Sequence, residues 1–238
     1  MGRDVEQLMD AATRAWSRCL AGPAGSRTAQ TLEVKPPSEA SATELMLALQ
    51  LLTQEVTRRL ISAQIGRLLM IHAGAVSHPV TGESLVFVAP GGTGKTTLAC
   101  VLGRRYGYLT DETVGIDDTG SIHPYPKPLS LRVPGAAAKD EAPPDELGLL
   151  PAHPEPTVKR VIVLHRPSGH ASGPIVEELS TLDAVETILP ETSSLARLPR
   201  PLRTLAELTE RCGPVLRCSY AEAGDLVSLT AALIGDAP

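Results

Sequence analysis

The octapeptide Ala89-Pro-Gly-Gly-Thr-Gly-Lys-Thr96 constrains the fold of this chain more than any other stretch. It follows the apolar run Leu85-Val-Phe-Val88 and precedes a segment of helical composition, the strand–loop–helix setting that a phosphate-cradling loop needs. Gly91, Gly92 and Gly94 allow successive backbone N–H groups to converge on one anion, and the positive end of the following helix adds to their pull. Lys95 is placed to neutralise β/γ-phosphate oxygens, and the Thr96 hydroxyl to ligate Mg²⁺. With Thr93 and Thr97 these positions form the expected nucleotide-binding set, and ATP with Mg²⁺ is the expected ligand pair. A dinucleotide fingerprint is excluded locally, because Thr97 stands where the third glycine would be required.

Composition removes other classes. The chain has 238 residues, with 22 basic against 27 acidic side chains and a net charge of −5, which argues against capture of nucleic acid or of an anionic membrane. One Trp, four Tyr and one Phe leave no aromatic platform for stacking bases. Cys19, Cys100, Cys212 and Cys218 form no CxxC, and the histidines lack metal-site spacing, so neither a disulfide framework nor a transition-metal centre is expected. No apolar run reaches the roughly 18 residues of a membrane span. Acidic residues occupy the N-terminus where a secretory signal needs cations, so the expected location is the cytoplasm.

Periodicity predicts an α/β chain in two parts, a small N-terminal helical appendage over 1–66 and a main domain over 67–238. In the appendage, Val5 to Leu20 reads as a helix and Thr31 to Val34 as a short strand. Ser41-Ala-Thr-Glu44 reads as the capping box of a second helix with Leu45, Leu49, Leu52, Val56, Leu60 and Ala63 on its buried stripe. In the main domain, Leu68–Val76 and Ser84–Ala89 are strands with no room for a crossover helix between them, so they should pair antiparallel and make the sheet mixed. A helix over Thr96–Tyr106 and a hairpin over Val114–His123, turning at Asp117–Gly120, should follow. Nine prolines between residues 124 and 156 predict a loop. Strands near 158–164, 175–179 and 214–220, and helices after Ser180, around Leu202–Cys212 and from Asp225, complete the pattern.

Asp111-Glu112 lies about one short helix beyond the glycine loop, where a returning strand brings two carboxylates beside the phosphates. At this point the chain resembles a family. The succession Ile71-His-Ala-Gly-Ala75, turn, glycine loop, Tyr108-Leu-Thr-Asp-Glu112 and Pro124-Tyr-Pro-Lys-Pro-Leu129 is similar to the HPr kinase/phosphorylase-related kinases. The similarity covers about Leu68 to Leu131 and implies a fold of the phosphoenolpyruvate carboxykinase-like group. It further implies that His72 lies beside the site, that Asp111 is the base towards an acceptor hydroxyl, and that Glu112, together with Thr96, binds Mg²⁺. The pattern departs from the HPr kinases themselves in lacking their extra N-terminal domain and their glutamate-and-arginine signature. The resemblance therefore points to the compact members that phosphorylate serine on ribosomally made peptides.

Lys127, on the stiff segment Pro124-Tyr-Pro-Lys-Pro128, is either a cation aimed at the transferring phosphate or a solvated turn lysine. The expected function is thus an ATP- and Mg²⁺-dependent kinase acting on a hydroxyl of a peptide, protein or small molecule, with self-association left open. The alternative is a nucleotide-binding regulator that switches without transferring phosphate. Carboxykinase chemistry on a small metabolite would need arginine clamps and further metal ligands, of which the sequence shows no obvious set.

Overall fold

The computed structural model describes residues 3–20, 31–34, 41–167 and 173–238. In chain order the elements are α1 (Arg3–Ala15), α2 (Ala42–Ala63), β1 (Leu69–Ile71), β2 (Ala73–Ser77), β3 (Glu83–Val88), α3 (Lys95–Leu102), β4 (Gly107–Thr110), β5 (Val114–Ile116) and β6 (Ile122–His123). There follow β7 (Leu129–Leu131), β8 (Asp140–Ala142), β9 (Thr157–His165), β10 (Ile175–Glu178), α4 (Thr181–Ile188), β11 (Thr192–Ser193), α5 (Pro201–Arg211), β12 (Leu216–Ser219) and α6 (Leu226–Ile234). The architecture is mixed α/β. Contacts divide the chain into two compact units, one of residues 1–60 with 126–147 and the other of 61–125 with 148–238.

In the first unit α1 and α2 pack through Leu8, Ala48 and Leu49, with Ala11, Ala12, Val34 and Leu45 around them. The Ser41 hydroxyl accepts the Glu44 N–H at 3.2 Å, the capping contact its sequence predicts. The buried side of α2 is turned from the expected stripe: Ala48, Leu49, Thr53 and Thr57 are buried, while Leu60 is exposed. Two of these are polar, and the Thr57 hydroxyl is satisfied by donating to the Thr53 carbonyl at 2.8 Å. Residues 31–34 form no strand. The proline-rich stretch contains a hairpin, β7 antiparallel to β8 with Leu129 opposite Ala142, so it is not a loop throughout. Its prolines stand outside the paired residues, where no ladder N–H is needed. The exposed residues 132–137 are the loop joining the two strands.

The second unit is built on a six-stranded sheet in the order β10-β12-β9-β3-β2-β4. Strands β3, β9 and β12 run parallel, whereas β2 pairs antiparallel with β3 and with β4, and β10 antiparallel with β12. Strand β3 is buried from Leu85 to Val88, as an uninterrupted apolar run in a covered parallel pair should be. The expected hairpin is present, with Ala73 opposite Val88 and Ser77 opposite Ser84. The predicted strand Leu68–Val76 is nevertheless two strands. Residues 69–71 belong to a second, antiparallel sheet ordered β11-β1-β5-β6, and the chain bends at His72 to pass from one sheet to the other. Helix α3 is shorter than expected, because the Gly103 carbonyl is taken by the Leu150 N–H at 2.7 Å and the chain turns away there. Among the described residues no helix is long and apolar enough to cross a membrane.

Candidate functional site

The carboxyl ends of the three parallel strands share one edge of the sheet, the usual place for a ligand crevice in open α/β sheets. Strand β3 delivers Ala89 and the glycine loop, and α3 starts at Lys95. Gly92 has φ +85° and Gly94 φ +110°, a region that L side chains rarely adopt, so these two positions need glycine for the backbone alone. A Cβ placed on Gly91 or Gly92 would meet nothing within 4 Å, so this part of the loop borders open space into which an anion can move. The Thr93 hydroxyl donates to the Pro90 carbonyl at 3.0 Å, and the Tyr220 hydroxyl at the end of β12 donates to the Thr93 carbonyl at 3.1 Å. Thr97 is exposed on the first turn of α3.

Lys95 is only 6 % exposed. Its ammonium donates to the Ala89 carbonyl and, at 3.3 Å, to the Pro90 carbonyl. Burial holds its pKa below the usual lysine value, and the opposing pull comes from the carboxylates of Glu191, Asp111 and Glu112. A cation held by two loop carbonyls has donors that can be redirected to phosphate oxygens.

Strand β4 lies next to β2 and returns the chain to the loop, carrying Asp111 at its end. Asp111 is buried, and both of its carboxylate oxygens accept from hydroxyls: Oδ2 from Thr96 at 2.8 Å and Oδ1 from Tyr108 at 3.1 Å. Glu112 is half-buried, and its carbonyl accepts the Ala73 N–H at 3.1 Å. His72, beside Ala73, is joined twice to Glu191. Its N–H donates to the Glu191 carbonyl at 2.6 Å, and its ring Nδ1 lies 3.0 Å from Glu191 Oε2.

The fold therefore gathers Lys95, Thr96 and Asp111 at one place, with Glu112, His72 and Glu191 about them. Lys127 belongs to the other unit, where it is buried and its ammonium donates to the Pro128 carbonyl at 2.9 Å. The sequence reading missed Glu191, Tyr108 as a partner of Asp111, Tyr220, and Arg166. The Arg166 guanidinium follows β9 and comes within 4.0 Å of where a Cβ on Gly94 would stand. It also donates to the Ala221 carbonyl at 2.9 Å.

A Thr96 hydroxyl whose proton goes to Asp111 keeps its lone pairs for a cation, and the oxygen donors here suit a hard divalent ion. Among the described residues no group of three or more His, Cys, Asp or Glu is placed to hold a metal. Tyr220→Phe should loosen the loop by removing one hydrogen bond worth about 1 kcal/mol. The expected result is a several-fold rise in the Kd for ATP by calorimetric titration, with the melting temperature nearly unchanged.

No protein-family description matches the chain, and no curated protein matches it in sequence. Among solved structures, the Hpr(Ser) kinase/phosphatase from Coxiella burnetii is similar at a TM-score of 0.37 and 13 % sequence identity, over 69 % of this chain and 93 % of that one.

Proposed function

We propose that the chain is an ATP- and Mg²⁺-dependent kinase that transfers the γ-phosphoryl group to a serine-type hydroxyl of a peptide, protein or small molecule. Its fold then belongs with the phosphoenolpyruvate carboxykinase-like group. The observation that carries this reading is the hydrogen bond from Thr96 to Asp111, which ties the glycine loop to the paired acids across 15 positions of sequence. The loop N–H groups and Lys95 bind the phosphates, and Arg166 adds a cation close to Gly94. When bound, Mg²⁺ held by Thr96 would supply the charge neutralisation under which the bond from the γ-phosphorus to the bridging oxygen breaks.

Asp111 does not take the role of base in this reading. A buried carboxylate that accepts from two hydroxyls is oriented towards Thr96, which suits the support of a metal ligand better than proton capture. Glu112 adds a second negative charge beside it. Asp111→Asn keeps an acceptor for the Thr96 hydroxyl but removes the charge, and Thr96→Val removes the ligand. Each should raise the Mg²⁺ concentration needed for half-maximal ATP turnover by about 10- to 100-fold, the usual cost of losing a metal's supporting partner. A Mg²⁺ titration of turnover measures this, and an unchanged requirement in both variants would remove the metal assignment.

A further inference from the structure

We propose that His72 and Glu191 form the proton-accepting dyad of this site, with Glu191 the positioning residue that fixes which ring nitrogen of His72 takes the proton. The inference rests on the phosphotransferase reading and supplies the group that Asp111 does not.

Donor and acceptor chemistry fixes the tautomer of His72. A carboxylate accepts hydrogen bonds and donates none, so a histidine nitrogen 3.0 Å from Glu191 Oε2 is the protonated one. In the neutral ring the proton is therefore on Nδ1, and Nε2 carries the lone pair. The arrangement is held rigidly. The His72 N–H is bonded to the Glu191 carbonyl, and β1 and β11, the strands on either side of these residues, pair with Ile71 opposite Thr192. Glu191 is the better covered of the pair, with its side chain 15 % exposed against 40 % for His72, so the ring is the member that solvent or a substrate can reach.

The dyad also stands in the right electrostatic company. Glu191 is the carboxylate that acts most strongly on Lys95, ahead of Asp111 and Glu112, so it shares a neighbourhood with the loop cation that meets the phosphates. In the transfer step the acceptor O–H bond breaks and its proton moves to Nε2 of His72, while the new O–P bond forms and the β–γ P–O bond breaks. The resulting imidazolium is balanced by the Glu191 carboxylate, and ADP leaves with the negative charge of its terminal phosphate.

The test uses the whole chain and two independent measurements. Nitrogen-15 spectra of the His72 ring read its tautomer without any substrate, and steady-state ATP turnover reads its role. In the parent protein the ring should show the Nδ1–H form. Glu191→Gln, which keeps an acceptor oxygen, should retain that form and lower kcat about 10-fold through loss of charge, with KM for ATP unchanged. Glu191→Ala should shift the ring towards the Nε2–H form and lower kcat by about 100-fold, as should His72→Ala, because general-base catalysis is typically worth about 10²–10⁴-fold. The double variant should fall no further, since the two act as a unit.

Ring signals indifferent to Glu191→Ala would overturn the dyad alone. Altered ring signals with unchanged kcat, or additive losses in the double variant, would overturn its catalytic role. A parent chain that binds Mg²⁺–ATP but passes label to no acceptor across a library of serine-containing peptides and small alcohols would defeat the phosphotransferase reading and the proton-accepting role with it, leaving the tautomer result standing as structure.

Discussion

Lys95→Ala should reduce ATP turnover by about 10²–10³-fold, the usual cost of deleting one fixed donor from a site that stabilises developing charge. The effect should be catalytic and not structural. Lys95 is buried, but its ammonium bonds only carbonyls that belong to the loop itself, so its removal leaves the strand and helix on either side of the loop intact. Burial disfavours the charged amine and lowers its pKa, while the Glu191, Asp111 and Glu112 carboxylates pull the other way and favour a positive group where phosphates would arrive. Lys95→Arg should not restore the rate, since a planar, forked guanidinium cannot reproduce a compact ammonium held between the Ala89 and Pro90 carbonyls. Turnover assays and thermal melts on both variants check this, and a melting temperature that collapses with the rate would instead make Lys95 a structural residue.

The second large effect concerns the hairpin that presents the site. Gly74 and Phe87 face each other across β2 and β3, and the Phe87 ring lies over Gly74 so closely that an added Cβ would stand 2.1 Å from Cε2 and 2.5 Å from Cζ. Phe87 is the chain's one phenylalanine and is fully buried. Phe87→Ala should destabilise by about 3–5 kcal/mol through lost burial and a residual cavity. Gly74→Ala should cost about 1–3 kcal/mol or more, because the ring must leave its rotamer or the two strands must separate. Combining Gly74→Ala with Phe87→Leu should recover part of the loss relative to the sum of the single changes, since a smaller side chain leaves room for the new methyl. Denaturant midpoints for the parent, Gly74→Ala, Phe87→Leu and the double variant measure the coupling, and strictly additive losses would show that the ring and the glycine do not compete for one space.

These two cases mark what was legible in the sequence and what was not. The glycine loop could be read because its chemistry lies in eight consecutive residues, and Asp111 because one helix and one short strand return the chain to that loop. The hairpin turn at Asp117–Gly120 was equally local: the Asp117 side chain accepts the Thr119 N–H at 3.0 Å, and Gly120 has φ +89°. Glu191 had no local signal, because it meets His72 across 119 positions, and Tyr220 meets Thr93 across 127. Such pairs are set by which strands lie side by side, and hydrophobic alternation does not encode that order. The bend at His72 was hidden for the same reason, since an apolar run reads alike whether it stays in one sheet or passes between two. On α2 the period was right and the phase was not, because the Thr57 hydroxyl is satisfied within the helix by the Thr53 carbonyl and can be buried where the sequence pattern assigns only apolar residues.

Phosphoryl transfer to a hydroxyl can be followed by incubating the protein with Mg²⁺ and γ-labelled ATP against a library of serine-containing peptides and small alcohols. Label should move from ATP to a serine-type oxygen of at least one acceptor, and Lys95→Ala should reduce the transfer by about 10²–10³-fold. Saturable binding of Mg²⁺–ATP with no label leaving it for any acceptor across that screen would contradict the claim, and would make the chain a nucleotide-dependent switch instead of a kinase.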